Sequence, residues 1–322
     1  MITGIAGFAG SHLADRMIEE GIEVLGTILP GEKLDNIQHL GSKITLLPCD
    51  VRDLESILDV MEQAHPNLVF HLAAQASVGL SYHDPGLTLD VNVKGTANLL
   101  EASRRHANEL EAIIVVSSAE VYGVLTPEQV PVSEDTPFAP VHTYAISKVA
   151  THFLAQVYHK THDLPVIEAR PFNHIGPRQG RGFVVPDFAS QIAEYSLGLS
   201  DKAMRVGNLQ VIRDFTDVRD VARAYLAIAR RGKPGSVYHI CSGEAVTVSN
   251  VLDKLVALSG KQLQIESDPA LWRPAKMPVL IGDASKLKHD TGWETTIALD
   301  QSLRDTLDYW IDHLSTTSKQ VN

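Results

Sequence analysis

The sequence predicts an α/β protein: a doubly wound parallel sheet in its first half, joined to a smaller α/β lobe in its second. Three observations predict this. Apolar strand-like runs alternate with amphipathic helical stretches as far as Arg170, a glycine-rich turn joins the first run to the first helix, and the rhythm loosens where Gly and Pro punctuate residues 171–182. Such alternation implies βαβ units with right-handed crossovers and ligand sites beyond the carboxyl ends of the strands.

In chain order, strands are expected at 22–28, 44–47, 68–72, 112–117 and 165–169, and helices at 9–20, 54–64, 86–106 and 143–162. Only three residues precede Gly4, so the first strand is expected to be short, or the natural start lies upstream. Beyond Arg170, helical patterns follow at 186–198, 218–231, 249–259 and 299–312. The domain reading is residues 1–170 for the sheet domain and 171–322 mainly for the second lobe, with the chain crossing between them. No internal repeat or low-complexity tract interrupts this pattern.

Composition narrows the function. The 322 residues are 44% hydrophobic and 21% charged, an ordinary globular balance. A net charge of -11 disfavours nonspecific binding to nucleic acid or anionic membrane. Cys49 and Cys241 are far apart and form no CxxC pair, which argues against a disulfide framework or structural zinc and fits a reducing compartment. The start lacks a basic, then apolar, leader, and no apolar run approaches the roughly 20 residues that span a bilayer. The expected setting is therefore cytoplasmic. Fourteen histidines, His159 and His162 among them, invite a metal reading, but no HExxH or convergent set accompanies them and none is expected.

Thr3 to Gly10 carries glycine at G-x-x-G-x-x-G spacing (Gly4, Gly7, Gly10) between a short strand and a helix. The turn needs backbone freedom, a pyrophosphate needs close approach to the main chain, and the helix must pack tightly on the strand. The helix N-terminus then offers N–H groups and the positive end of its dipole to phosphate. At the end of the next strand, Thr27-Ile28-Leu29-Pro30 supplies neither the Asp that binds a ribose diol nor an Arg for a 2′-phosphate. Glu32 and Lys33 have opposite signs, so NAD and NADP both stand. The missing Arg tilts the reading to NAD.

Tyr144 and Lys148 stand at i and i+4 on one helix face. An ammonium near a phenol favours phenolate, so Lys148 is expected to lower Tyr144 from its ordinary value of roughly 10. Ser118 ends the preceding strand and reaches toward the same reacting oxygen. His142, just before Tyr144, is read as a loop residue.

With these residues in place, the sequence resembles the extended short-chain dehydrogenase/reductases, the NAD-dependent epimerase/dehydratase family with a Rossmann-type fold. The matching segments are Gly4–Gly10, Cys49-Asp50-Val51, His71-Leu72-Ala73-Ala74, Asp90-Val91-Asn92, Ser117–Gly123, Tyr144–Lys148, Arg170–Asn173 and Arg213-Asp214-Phe215. The resemblance implies that Gly4, Gly7, Phe8, Ala9, Gly10, Asp50, Val51, Leu72, Ala73, Ala74, Tyr144, Lys148 and Phe172 bind NAD(P)(H). It also implies a homodimer built on the helices at 86–106 and 143–162.

The second half resembles the GDP-4-keto-6-deoxy-mannose reductases at Phe172–Gln179, Gly182-Phe183-Val184, Arg213–Val218 and Val237–Gly243. Arg273–Pro278 with Leu280–Asp283 is shared with the GDP-mannose 4,6-dehydratases. By this resemblance Asn173, Val184, Arg213 and Arg273 hold the nucleotide sugar beside Ser118. Arginine forks suit phosphate oxygens in an otherwise acidic protein. Trp272 either stacks on the guanine or covers the lobe junction.

Glu120 divides the reactions, because the dehydratases carry their C5 base there. Ser118 and Ala119 depart from the dehydratase pattern, and the Arg-rich loop of those enzymes is missing. The expected activity is reduction of the 4-keto group of GDP-4-keto-6-deoxy-mannose to GDP-rhamnose, with Ser118, Glu120, Tyr144 and Lys148 as the catalytic set. The alternatives are a GDP-mannose 4,6-dehydratase using Glu120, a nucleotide-hexose 4-epimerase, and a non-catalytic dinucleotide sensor.

Overall fold

The computed structural model describes residues 1–272 and 277–321. Seven strands form one parallel sheet: β1 (Ile2–Thr3), β2 (Val24–Ile28), β3 (Ile44–Pro48), β4 (Leu68–His71), β5 (Ala112–Val116), β6 (Val166–Pro171) and β7 (Val237–Ile240). Their order is β7-β6-β5-β4-β1-β2-β3, so the winding reverses between β1 and β4. Ligands bind at such a reversal, outside the carboxyl ends of the strands.

Alternation along each strand builds two cores. Phe70 and Ile114 pack with Leu13 and Met17 of α1 (Phe8–Glu19) and with Val221 and Tyr225 of the helix Val218–Arg231. Their neighbours Val69, Ile113 and Val115 face Ile57 and Met61 of α2 (Leu54–Ala64), Leu99 of α3 (Gly95–Arg105) and Ala155 of α4 (Thr143–His162). Side chains on a strand point alternately to opposite faces, so one apolar run serves both layers.

β1 is two residues long, as its place in the sequence predicts. The helix expected over 86–106 is instead a short helix at Pro85–Leu89, a wider π turn at Asp90–Lys94, and α3. Asn92 explains the interruption. Its side chain accepts from Gln75 N–H and donates to the Gln75 carbonyl and to Ser147 Oγ, while its own carbonyl takes Thr96 Oγ1–H.

The second lobe has its own core, in which Phe188 and Ile192 of α5 (Val184–Ser196) meet Val251, Leu255, Leu303 and Trp310. The chain crosses back in two places, over 218–240 and again at the helix Ser285–Thr291, which packs on β7 and on the helix Val218–Arg231. The helix Val218–Arg231 packs on α1, and β7 pairs with β6 at the sheet edge. Buried Asp214 ties the crossings together by accepting from Ser242 N–H and Oγ–H, Gly243 N–H and Gly282 N–H. Among the described residues no helix is long and apolar enough to cross a membrane.

Candidate active site

At the winding reversal lies a cavity of about 390 Å³, lined also by Asn173 and Val184 of the segment that follows the sheet domain. One wall is the glycine turn. Gly4 sits at φ 69°, and a Cβ there would come within 2.9 Å of the Ala73 backbone. A Cβ on Gly10 would stand 2.4 Å from the Gly4 carbonyl oxygen. Gly7 caps α1 with extended backbone and no side-chain cap, so the helix presents its first turn to the cavity through Gly7, Phe8, Ala9 and Gly10. This is a cradle shaped for phosphate, and the residues present fit a dinucleotide.

The cradle is braced from behind. Arg178, at φ 71°, donates to Asp15 and His12 on α1 and to the Asn36 carbonyl, while Asn36 donates to the Ala6 carbonyl. Because His12 Nδ1 accepts from Arg178, its proton sits on Nε2 and is donated to the Pro177 carbonyl at 2.9 Å. Burial and the guanidinium push His12 down to about 4, so it remains neutral in this role.

The opposite wall carries Ser118, Glu120, Tyr144 and Lys148, all lining the same cavity. Ser118 opens a short turn at the end of β5, and its Oγ accepts from Glu120 N–H at 3.3 Å. The Tyr144 phenol shares this wall with Ser118, whose side chain favours the ionised form. Lys148 Nζ donates to the Val116 carbonyl at 2.8 Å and lies 5.9 Å from the centre of the Tyr144 ring.

The phenol does not move in the expected direction. Burial pushes Tyr144 up to about 12, Ser118 opposes this, and the Glu120 carboxylate adds to it. Lys148 is itself driven down to about 8 by burial, with buried Glu168 opposing. A closed, weakly polarisable site penalises both charged forms more than the pair rewards them.

Leu72, Ala74, Phe172, Asn173 and Val184 also line the cavity. Ala73 contributes its backbone against Gly4. Asp50 and Val51 lie outside the lining: Arg52 grips the Asp50 carboxylate through two nitrogens, and buried Val51 packs on Gly95. Arg213 is also outside it, donating to the carbonyls of Ile212 and Met277 at 2.8 and 2.9 Å. Arg273 falls outside the described residues.

A family model described as GDP-mannose 4,6 dehydratase matches residues 1–306. The chain belongs to that family. A family member from Pseudomonas aeruginosa, GDP-6-deoxy-D-mannose reductase, is 34% identical over 309 residues, 96% of each chain. The family's extended short-chain dehydrogenase/reductase fold is seen in the Pseudomonas aeruginosa RMD structure complexed with NADPH, at a TM-score of 0.82 with 32% identity, covering 97% of this chain and 98% of that one. The UDP-glucose 4-epimerase of Thermus thermophilus, solved with NAD, superposes at 0.86 with 29% identity, covering 96% and 97%.

His142, read from the sequence as a loop residue, has a defined place here. It is the N-cap of α4, its Nδ1 accepting from Ala145 N–H at 3.1 Å, and its Nε2 lies 3.0 Å from Glu120 Oε2. A histidine is an uncommon cap beside Ser, Thr, Asp and Asn, so local pattern does not flag it. His174, Gln179 and Phe183 likewise line the cavity from the crossing segment, where no periodicity marks them.

Proposed function

We propose that this protein reduces the 4-keto group of GDP-4-keto-6-deoxy-mannose to GDP-rhamnose, using NAD(P)H. One observation carries the reductive direction: Tyr144, Ser118 and Lys148 line the cavity that the glycine cradle enters, and burial raises the Tyr144 phenol so that it stands there as a proton donor. The likeness to the Pseudomonas reductase over nearly the whole chain supports the same reading.

The nicotinamide, when bound, supplies the hydride. Gly4, Gly7, Phe8, Ala9 and Gly10 would hold its pyrophosphate, and Leu72, Ala74 and Phe172 would line its path. Tyr144 donates its proton to the sugar carbonyl oxygen as negative charge develops there. Ser118 gives a second hydrogen bond to that oxygen, and Lys148 stabilises the phenolate left behind. An alkoxide is more basic than a phenolate, so transfer from a phenol near 12 still runs downhill. Asn173, Val184, Arg213 and Arg273 are proposed to bind the nucleotide sugar, with residues 171–322 supplying most of that lobe. Glu32 folds back to accept from Leu29 N–H at 2.9 Å, closing the turn after β2 with a carboxylate, which supports NADH over NADPH. KM values for the two test this preference.

The dehydratase is the second reading, favoured by the family model and by Glu120 on the cavity wall. Incubation with GDP-mannose alone, and with the 4-keto-6-deoxy sugar plus NADH or NADPH, separates the two. Nicotinamide oxidation with the keto sugar only is expected; consumption of GDP-mannose without reductant would overturn the reductase.

A homodimer is proposed through α4, where Ile146, Phe153 and Val157 are each at least half exposed on one face. Light scattering should give twice the 35.1 kDa chain mass, falling to one chain in Phe153→Asp.

A further inference from the structure

Ser118 and Tyr144 sit on separate elements, joined where Lys148 Nζ donates to the Val116 carbonyl and Ser117 Oγ to the Lys148 carbonyl, and joined a second time through His142. Ala145 N–H donates to His142 Nδ1, so that nitrogen bears no proton and the neutral ring carries its proton on Nε2. Nε2–H therefore donates to Glu120 Oε2. Both side chains are nearly sealed, 1% and 13% exposed, so water screens the bond little. Glu120 N–H in turn donates to Ser118 Oγ, which lines the cavity with Tyr144. The bonds run from Ser118 through Glu120 and His142 to Ala145, one residue past Tyr144. A residue needed only to cap α4 would be a Ser, Thr, Asp or Asn. What the imidazole adds is a second nitrogen that reaches Glu120.

We propose that His142 is a positioning residue that clamps the Glu120 carboxylate against the catalytic helix, so that Glu120 meets the sugar as a fixed hydrogen-bond acceptor and not as a base at C5. The proposal rests on the reductase reading above. A 4-keto group acidifies the neighbouring C5–H. A free carboxylate would take that proton, leaving an enolate that regains a proton from solvent at C5, with no change in oxidation state. A carboxylate that already accepts an imidazole N–H is a weaker base and less able to approach C5.

The test compares wild type, His142→Asn, Glu120→Gln and the double variant, each turning over the keto sugar in D2O. Asn keeps the cap through its side-chain oxygen but is too short to hold Glu120 as well. Wild-type product should carry little deuterium at C5. His142→Asn should gain C5 deuterium and raise the sugar KM about tenfold, with a smaller change in kcat. The double variant should lose the deuterium and show a KM no higher than either single variant. Wild-type levels of C5 deuterium in His142→Asn, or effects that add in the double variant, would overturn the clamp. A turnover-free measurement separates this from the activity itself. In 15N-imidazole NMR, His142 should show an Nε2–H tautomer with a downfield proton that moves upfield in Glu120→Ala. A His142 signal indifferent to Glu120→Ala overturns the clamp whatever the substrate, whereas a wild type inert toward the keto sugar removes only the reductase reading.

Discussion

Lys148 is buried beside Tyr144 with its ammonium on the Val116 carbonyl, and burial, opposed by Glu168, brings it down to about 8. Its charge therefore changes near physiological pH, while Tyr144, up near 12, stays protonated. The ammonium is present below about 8 and lost as pH rises through that value. If it stabilises the phenolate left by proton transfer, kcat/KM for reduction should be level from pH 6 to 7.5. It should then fall above about 8, approaching tenfold per unit. A profile still level at pH 9.5 would show that Lys148 acts in some other way.

At the scale of elements, the site depends on how closely backbone approaches backbone. α1 leaves the sheet so tightly that a Cβ on Gly10 would meet the Gly4 carbonyl oxygen at 2.4 Å and the Ile5 Cα at 3.0 Å, and neither atom can swing aside. Gly10→Ala should cost about 1–3 kcal/mol of strain, drawn largely from the cradle. The expected outcome is a loss of roughly tenfold or more in dinucleotide affinity, read by nicotinamide fluorescence titration. Unchanged affinity would mean that phosphate does not rest on this turn. The glycine spacing was legible in the sequence because each of these residues answers a local demand. The π turn at Asp90–Lys94 was not, since its cause is Asn92 reaching Gln75 and Ser147, distant along the chain and adjacent only after folding.

Across the whole molecule, histidines wire the layers together in neutral form. His71 bridges Thr3 on β1 and Thr96 on α3, His12 joins α1 to the crossing segment, and His239 on β7 accepts from Tyr122. Burial drives His71 and His239 to about 3 and His12 to about 4, below the ordinary value of 6.5. The unfolded chain binds these protons first, so stability is complete above about 6.5 and declines as pH falls toward 4. Each such group contributes up to about 1.4 kcal/mol per pH unit over that span. Urea midpoints should drop steeply between pH 6.5 and 5, and His71→Gln should flatten the slope. Equal midpoints at the two pH values would contradict the buried neutral assignment.

The sequence by itself determined the parallel sheet, the glycine cradle and the helix bearing Tyr144 and Lys148, because strand alternation, helical period and turn chemistry are local properties of the chain. Helix bounds such as Leu54–Ala64 and Thr143–His162 follow from that periodicity residue for residue. Only the tertiary structure decided the protonation of the site, because desolvation depends on everything packed around a group and reverses the effect expected from Lys148 alone. It also decided that β7 closes the sheet edge and that His142, a loop residue by pattern, lies 3.0 Å from the Glu120 carboxylate. These are contacts between segments far apart in sequence, and no local period encodes them.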